Sequence, residues 1–333
     1  MPFNAFNSIA KLPNKRGGVP IVNWVAVGAG NTIVTSADGI TWRNSTTKGG
    51  ISYGAAVAYG KDGTGAGLWV AVGPGIATST DGTNWTAVPT ASTSGFSSGS
   101  QGGIAYGKDN LGVGIWVAGG NGTNKIVTSR NGTDWLPATS AGGITTGYRL
   151  AYNGVDKWVA CGDGSYLATS PDGTNWTAVP SANGGALGLL LDVAYGNGLW
   201  VAVGSGSIVY SSNGTNWTAA SSKAGIYTGR GIAYGNGLWV VVGSDYVSSY
   251  QHTLIAYSSN GIAWTAVSTG GGLYQSGDNN TSAYGVTYGN GLWVAGGSYG
   301  SIIATSTTGT SWNAALSNGG ITIGRSIAYK PPV

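Results

Sequence analysis

The chain has 333 residues, of which only 8% are charged, with a formal net charge of +4, 62 Gly, 14 Trp and 18 Tyr. No Lys/Arg run exceeds the Lys15-Arg16 pair, so the basic stripe of a nucleic-acid binder is missing; a single Cys excludes an internal disulfide, and no apolar run approaches the roughly 18 residues of a membrane span. Glycine at this level beside so many aromatic rings reads as turns between strands rather than as disorder.

Residues 1–20 stand apart from the remainder of the chain. Phe3, Phe6, Ile9 and Leu12 recur at a spacing of three, and two of the three Phe residues of the chain lie here. The segment lacks the charged and apolar regions of an ordinary secretory signal. It reads as a docking peptide, either packed on its own fold or anchoring the chain to a partner such as a virion or assembly protein.

Residues 21–333 read as one repeat domain. The clearest copy is Asp192 to Ala220, in which four short apolar runs are separated by Asn197-Gly198, a variable loop and Asn213-Gly214. Asn-Gly tolerates positive φ at both turn positions and is the strongest short-range hairpin signal, so each copy is predicted to be a four-stranded antiparallel meander, A to D. Strand B recurs at Trp24, Trp69, Trp116, Trp158, Trp200, Trp239 and Trp293. The C–D turn recurs as Ser36 to Trp42, Ser79 to Trp85, Ser129 to Trp135, Ser170 to Trp176, Ser211 to Trp217, Ser258 to Trp264 and Ser306 to Trp312. Strand A recurs at Tyr59, Tyr106, Tyr152, Tyr195, Tyr234, Tyr288 and Tyr329.

The chain enters the pattern at strand B and leaves it after strand A. The C-terminal strand around Ile327 is therefore expected to lie beside the strand at Trp24 and close a ring, which removes the exposed edges of a linear array. Seven four-stranded units at a period of about 40 to 45 residues predict an all-β, seven-bladed β-propeller.

Ser36-Ala37-Asp38-Gly39-Ile40-Thr41-Trp42 and Ser79-Thr80-Asp81-Gly82-Thr83-Asn84-Trp85 resemble the Asp-box, or BNR repeat, of sialidase-like propellers, although the usual box has one more residue between Asp and Gly. Asn stands for Asp at 131, 213 and 260, and Thr at 308. The whole repeat is similar to the tandem GLWVAVG-type propellers of bacteriophage and giant-virus proteins. The resemblance implies the fold and a virion or extracellular-surface setting, and makes the box a folding device: its polar side chains satisfy the turn, Gly supplies positive φ, and Trp covers the hairpin.

Chemistry is read mostly by exclusion. Sialidase activity in the resembling enzymes uses an arginine triad, a Tyr-Glu pair and an Asp, and this chain has no Glu. One His and one Cys form neither a zinc site nor a Cys-His pair, and Cys161 occupies a strand position that suits a buried thiol. No catalytic residue, metal or cofactor is expected. Arg149, Arg230 and Arg325 each lie just before strand A and could hold a carboxylate or sulfate at a channel mouth; Asp192, at the offset of Arg149, could instead lock one of them in an ion pair.

Antiparallel topology puts the uniform C–D turns on one end and the varied B–C and D–A loops on the other, where binding loops belong. The two largest insertions, Ser244 to Thr253 and Ser268 to Ala283, carry Asp245, Tyr246, Tyr250, His252, Tyr274, Gln275, Asp278, Asn279 and Asn280. Flat rings beside amides and carboxylates suit sugars; solvated insertions are the plainer alternative. The Gly-Gly-Ile loops at Ile144 and Ile321, with a near copy at Ile226, are expected to pack between blades. The functional expectation is a non-enzymatic glycan- or receptor-binding propeller, with a structural virion component or a degenerate sialidase-like hydrolase as alternatives.

Overall fold

The computed structural model describes residues 21–30, 32–89, 95–99, 102–164, 166–180, 188–244, 254–267, 273, 281–298 and 302–332. Every regular element among them is a strand. The first three are β1 (Trp24–Gly30), β2 (Ile33–Ser36) and β3 (Trp42–Asn44). Next come β4 (Ala56–Lys61), β5 (Gly67–Val72), β6 (Ile76–Ser79), β7 (Thr86–Ala87), then β8 (Gly103–Lys108), β9 (Gly114–Gly119), β10 (Ile126–Ser129) and β11 (Leu136–Pro137). The middle of the chain forms β12 (Ile144–Tyr152), β13 (Trp158–Gly164), β14 (Leu167–Ser170), β15 (Thr177–Ala178), followed by β16 (Leu190–Gly196), β17 (Leu199–Gly204), β18 (Ser207–Ser211) and β19 (Thr218–Ala219). The last are β20 (Thr228–Gly235), β21 (Leu238–Ser244), β22 (Ile255–Ser258), β23 (Thr265–Ala266), β24 (Ser282–Gly289), β25 (Leu292–Ser298), β26 (Ile303–Ser306), β27 (Asn313–Ala314) and β28 (Ile321–Tyr329).

Five of the predicted meanders form separate four-stranded antiparallel sheets among the described residues. The tight hairpins follow the turn chemistry: Asn197 and Gly198 sit at φ 49° and 75°, and Asn236-Gly237 and Asn290-Gly291 repeat this. β28 pairs antiparallel with β1, from Tyr329 opposite Trp24 to Ile321 opposite Gly30. One detail departs from seven separate sheets: Ser298 of β25 pairs with Ile323 of β28, which joins two four-stranded groups into one eight-stranded sheet. The outermost strands are only two or three residues long.

The first strands lie side by side in chain order, from β4 and β8 through β12, β16, β20 and β24 to β28, and β28 also lies against β4. The core lies between neighbouring sheets. Val70 and Val72 of one pack with Trp116 and Ala118 of the next, and Val201 and Val203 with Trp239 and Val241. Val25 and Val27 pack with Trp69 and Ala71 in the same manner. A second strand is thus covered on both faces, which explains why runs such as Leu68-Trp69-Val70-Ala71-Val72 are continuously apolar instead of alternating.

Two contacts repeat from sheet to sheet. Within a sheet the Tyr of the first strand packs on the Trp of the second, as in Tyr195–Trp200 and Tyr234–Trp239, with ring centroids 4.8 and 5.0 Å apart. Between sheets, the Gly that follows this Tyr in five of them lies under the Tyr of the next sheet: a Cβ on Gly196 would fall 2.2 Å from Tyr234 Cγ, and one on Gly289 2.2 Å from Tyr329 Cγ. Lys330 takes the place of that Gly after Tyr329, and its ammonium stands 5.4 Å from the centre of the Tyr59 ring.

The C–D turns are built alike. Ser36 Oγ accepts the Gly39 N–H at 2.9 Å and donates to Asp38 Oδ1 at 2.9 Å, while Asp38 Oδ1 accepts the N–H groups of Ile40 and Thr41 at 2.9 and 2.8 Å. Trp42 Nε1 donates to Gly39 O at 2.9 Å. Asn213 Oδ1 and Thr308 Oγ1 accept the equivalent N–H groups in their turns. A carboxylate is therefore one of three interchangeable acceptors here.

Candidate functional site

The Gly-Gly-Ile loops lead into the first strands, and their Ile144, Ile226 and Ile321 are buried. Just beyond them, five first strands carry a β-bulge, an extra residue that re-aims its side chain. The register skips Tyr148 in β12, Leu191 in β16, Arg230 in β20, Tyr284 in β24 and Arg325 in β28. Each stands four residues before the first-strand Tyr. Arg230, Tyr284 and Arg325 are therefore equivalent positions on three consecutive first strands.

The consequence is a stack. The Arg230 guanidinium carbon lies 5.2 Å from the centre of the Tyr284 ring, and that of Arg325 lies 5.4 Å from it. Both cations come from the strands flanking β24 and are attracted to the ring by its quadrupole. All three side chains are half-buried. Arg230 Nε is buried without a hydrogen-bond acceptor among the described residues.

Arg149 lies one place further along its strand, at the position of Asp192, and does different work. Its guanidinium donates to the carbonyls of Gly102 at 2.6 Å and Ala55 at 3.3 Å, the residues just before β8 and β4. Enclosure by protein works against its charge, Asp192 supports it and Arg325 opposes it, leaving its pKa lowered. Asp192 accepts the Val193 N–H at 2.8 Å and, on its other oxygen, the Ile232 N–H of β20 at 2.9 Å. Burial raises its pKa to about 6 against the pull of Arg149 and these two donors. Arg149 and Asp192 together tie the first strands of five units across their starts.

Other candidate groups are occupied. Tyr148 donates its hydroxyl to Asp163 Oδ2 at 2.8 Å. Cys161 is fully buried and free, and burial pushes its thiol up, which fits packing and disfavours nucleophilic attack. No group of three His, Cys, Asp or Glu able to hold a metal occurs among the described residues. The salt bridge from Arg130 to Asp109, 2.6 Å long, braces the loop between β8 and β9.

Asp245, Tyr246, Tyr250, His252, Tyr274, Gln275, Asp278, Asn279 and Asn280, and residues 1–20, lie outside the described residues. The structure adds an open groove of about 640 Å³ lined by Tyr284, Ser298, Ile302, Asn318, Ile321, Thr322 and Ile323. Tyr284 belongs to both groove and stack. Sequence reasoning missed it, yet Tyr284 has the same offset from Tyr288 as Arg230 from Tyr234, and aligning the first strands would have found it.

No family model and no curated protein matches the chain. Solved structures do. The chain is similar to a Niastella koreensis GH74 enzyme, with TM-score 0.56 and 16% identity over 90% of this chain, which spans 44% of that enzyme's length. It is also similar to a chain of a nidogen/laminin complex, with TM-score 0.53, 10% identity and coverage of 78% and 97%. A third likeness is to YCF48 bound to D1 peptide, with TM-score 0.53, 16% identity and coverage of 83% and 91%. These likenesses, with the all-strand architecture, define a β-propeller. No helix among the described residues is long and apolar enough to cross a membrane.

Proposed function

We propose that this chain is a closed, seven-bladed propeller that binds a glycan or cell-surface receptor without turning it over, in a virion or cell-surface setting. Supporting seven blades are the seven first strands lying side by side and the pairing of β28 with β1. On that reading, the Ser298–Ile323 pair is a contact between adjacent blades.

The observation that carries the binding role is the Arg230–Tyr284–Arg325 stack. It stands at the end where loops vary, and the Ser268 to Ala283 insertion runs into β24 directly before Tyr284. Binding without hydrolysis is supported by the engagement of Asp192 and Asp163: both oxygens of Asp192 accept main-chain N–H groups and Asp163 accepts from Tyr148. A glycan array tests it. The wild-type chain should bind, the Tyr246→Ala/Tyr274→Ala and Arg230→Gln variants should lose binding, and a blank array or sialoside turnover that depends on Arg230 would overturn the proposal.

A further inference from the structure

Two apolar features stand outside the binding role: the side chains of residues 1–20, and a set of hairpin tips that the described residues leave in water. Leu111 and Val113, on the loop between β8 and β9, are 80% and 51% exposed, and Val155, on the loop between β12 and β13, is 75% exposed. Single exposed apolar residues are ordinary. These three stand on neighbouring hairpins, which are joined where Trp158 Nε1 donates to Lys108 O at 2.8 Å. The matching hairpins at Asn197-Gly198, Asn236-Gly237 and Asn290-Gly291 end in exposed polar pairs, so the scaffold itself does not demand apolar tips.

Both loops are fixed from within. Asp109 Oδ1 accepts the Leu111 and Val113 N–H groups at 2.8 and 2.9 Å, and Asn153 Oδ1 accepts those of Val155, Asp156 and Lys157 at 3.0, 2.9 and 2.9 Å. Such ordered turns leave the three side chains no route into their own core, so burying them requires another segment.

Where the described chain starts points to that segment. Tyr329 faces Trp24 as Tyr106 faces Trp116 and Tyr152 faces Trp158, so residues 21–23 leave the fold at the end where these two loops stand. The sheets of β4, β8 and β12 follow that of β1 and β28 in order. Sheets stack about 10 Å apart, which puts the two loops roughly 20 and 30 Å along from β1, whereas a stretch the length of residues 1–20 reaches about 70 Å. Phe3, Phe6, Ile9 and Leu12 supply the apolar side chains. Charge agrees, since residues 1–20 hold Lys11, Lys15 and Arg16 and no acid, while Asp156 is exposed beside Val155.

We infer that residues 1–20 dock on their own sheets, with Phe3, Phe6, Ile9 and Leu12 covering Leu111, Val113 and Val155. This stands apart from the glycan reading, because the varied loops lie at the opposite end.

Trypsin digestion of the full chain tests the docking through Lys11, Lys15 and Arg16. The wild type should release the segment at least about tenfold more slowly than Leu111→Ser/Val155→Ser, because cleavage follows the population in which the segment is undocked. Both substituted side chains are exposed, and near-UV circular dichroism of the tryptophans checks that the sheets persist. A second measurement does not depend on that variant. Cys161 is fully buried, so Phe6→Cys/Val155→Cys adds the only accessible thiols, and oxidised glutathione should close them into a disulfide within one chain. Phe6→Cys/Thr145→Cys, whose second thiol lies at the far end of β12, should close at least about tenfold more slowly. Equal release from wild type and variant, or equal closure of the two pairs, overturns the inference. A disulfide formed only between two chains also overturns it and assigns the surface to a second copy.

Discussion

Trp24 and Tyr329 pack ring on ring with centroids 4.7 Å apart, joining the strand that begins the repeats to the strand that ends them. The contact matches that of Tyr195 on Trp200 at 4.8 Å, which lies within a single hairpin. Tyr329→Ala and Tyr195→Ala should therefore destabilise the chain alike, each by about 2 kcal/mol, from lost burial and the aromatic pair. Urea unfolding of the two variants measures this, and a silent Tyr329→Ala would contradict the shared sheet.

Gly196→Ala should cost more than about 2 kcal/mol, because the new methyl meets the base of the Tyr234 ring, the part a rotamer change cannot clear. At Gly198 a Cβ meets nothing within 4 Å, but φ is 75°, so Gly198→Ala should cost only about 1 kcal/mol. Thermal melts of the pair separate crowding from backbone conformation.

In the fourth C–D turn, Asp172 Oδ1 accepts the Thr174 and Asn175 N–H groups, both at 2.8 Å. Asp172→Asn should change stability by less than about 0.5 kcal/mol, as Asn213 makes the same bonds, whereas Asp172→Ala leaves two donors without this partner and should cost about 1 kcal/mol or more. Equal losses in chemical denaturation would mean that the carboxylate has a role beyond accepting these bonds.

Stability should respond to pH through two opposed sets of aspartates. Partial burial works against the charges of Asp38, Asp81 and Asp172, yet the turn N–H donors outweigh it and hold all three below the ordinary 3.8. Their contribution is present above that value and is lost as pH falls through the lowered ones. Asp192, raised to about 6 by burial, behaves oppositely: the folded chain holds its proton more tightly, so its contribution is full below 3.8 and is lost as pH rises through about 6. Denaturation between about pH 3 and 7 should show the Asp38→Asn/Asp81→Asn/Asp172→Asn variant with a flatter acid limb. It should also show Asp192→Asn gaining on the wild type between about pH 4 and 6.

Strands and turns were legible because each is a local pattern copied along the chain. The bulges were not, since a one-residue slip exists only relative to a partner strand. For that reason Arg149 was grouped with Arg230 and Arg325, although it sits one register place away, clamping the carbonyls of Gly102 and Ala55. Tyr284 was hidden by the same slip, and the groove by its dependence on Ile302 and Ile323, which come from different units of the repeat pattern. The Gly after five of the first-strand Tyr residues looked like turn chemistry; at Gly196 its purpose is room for Tyr234.

The antiparallel register of β1 and β28 also governs how the molecule would bear a load. Trp24 faces Tyr329 and Gly30 faces Ile321, so a pull applied between residues 21 and 332 acts at the same end of both strands. Such a force opens the pair like a zipper, one hydrogen-bond pair after another starting from Trp24 and Tyr329, instead of shearing all of them together.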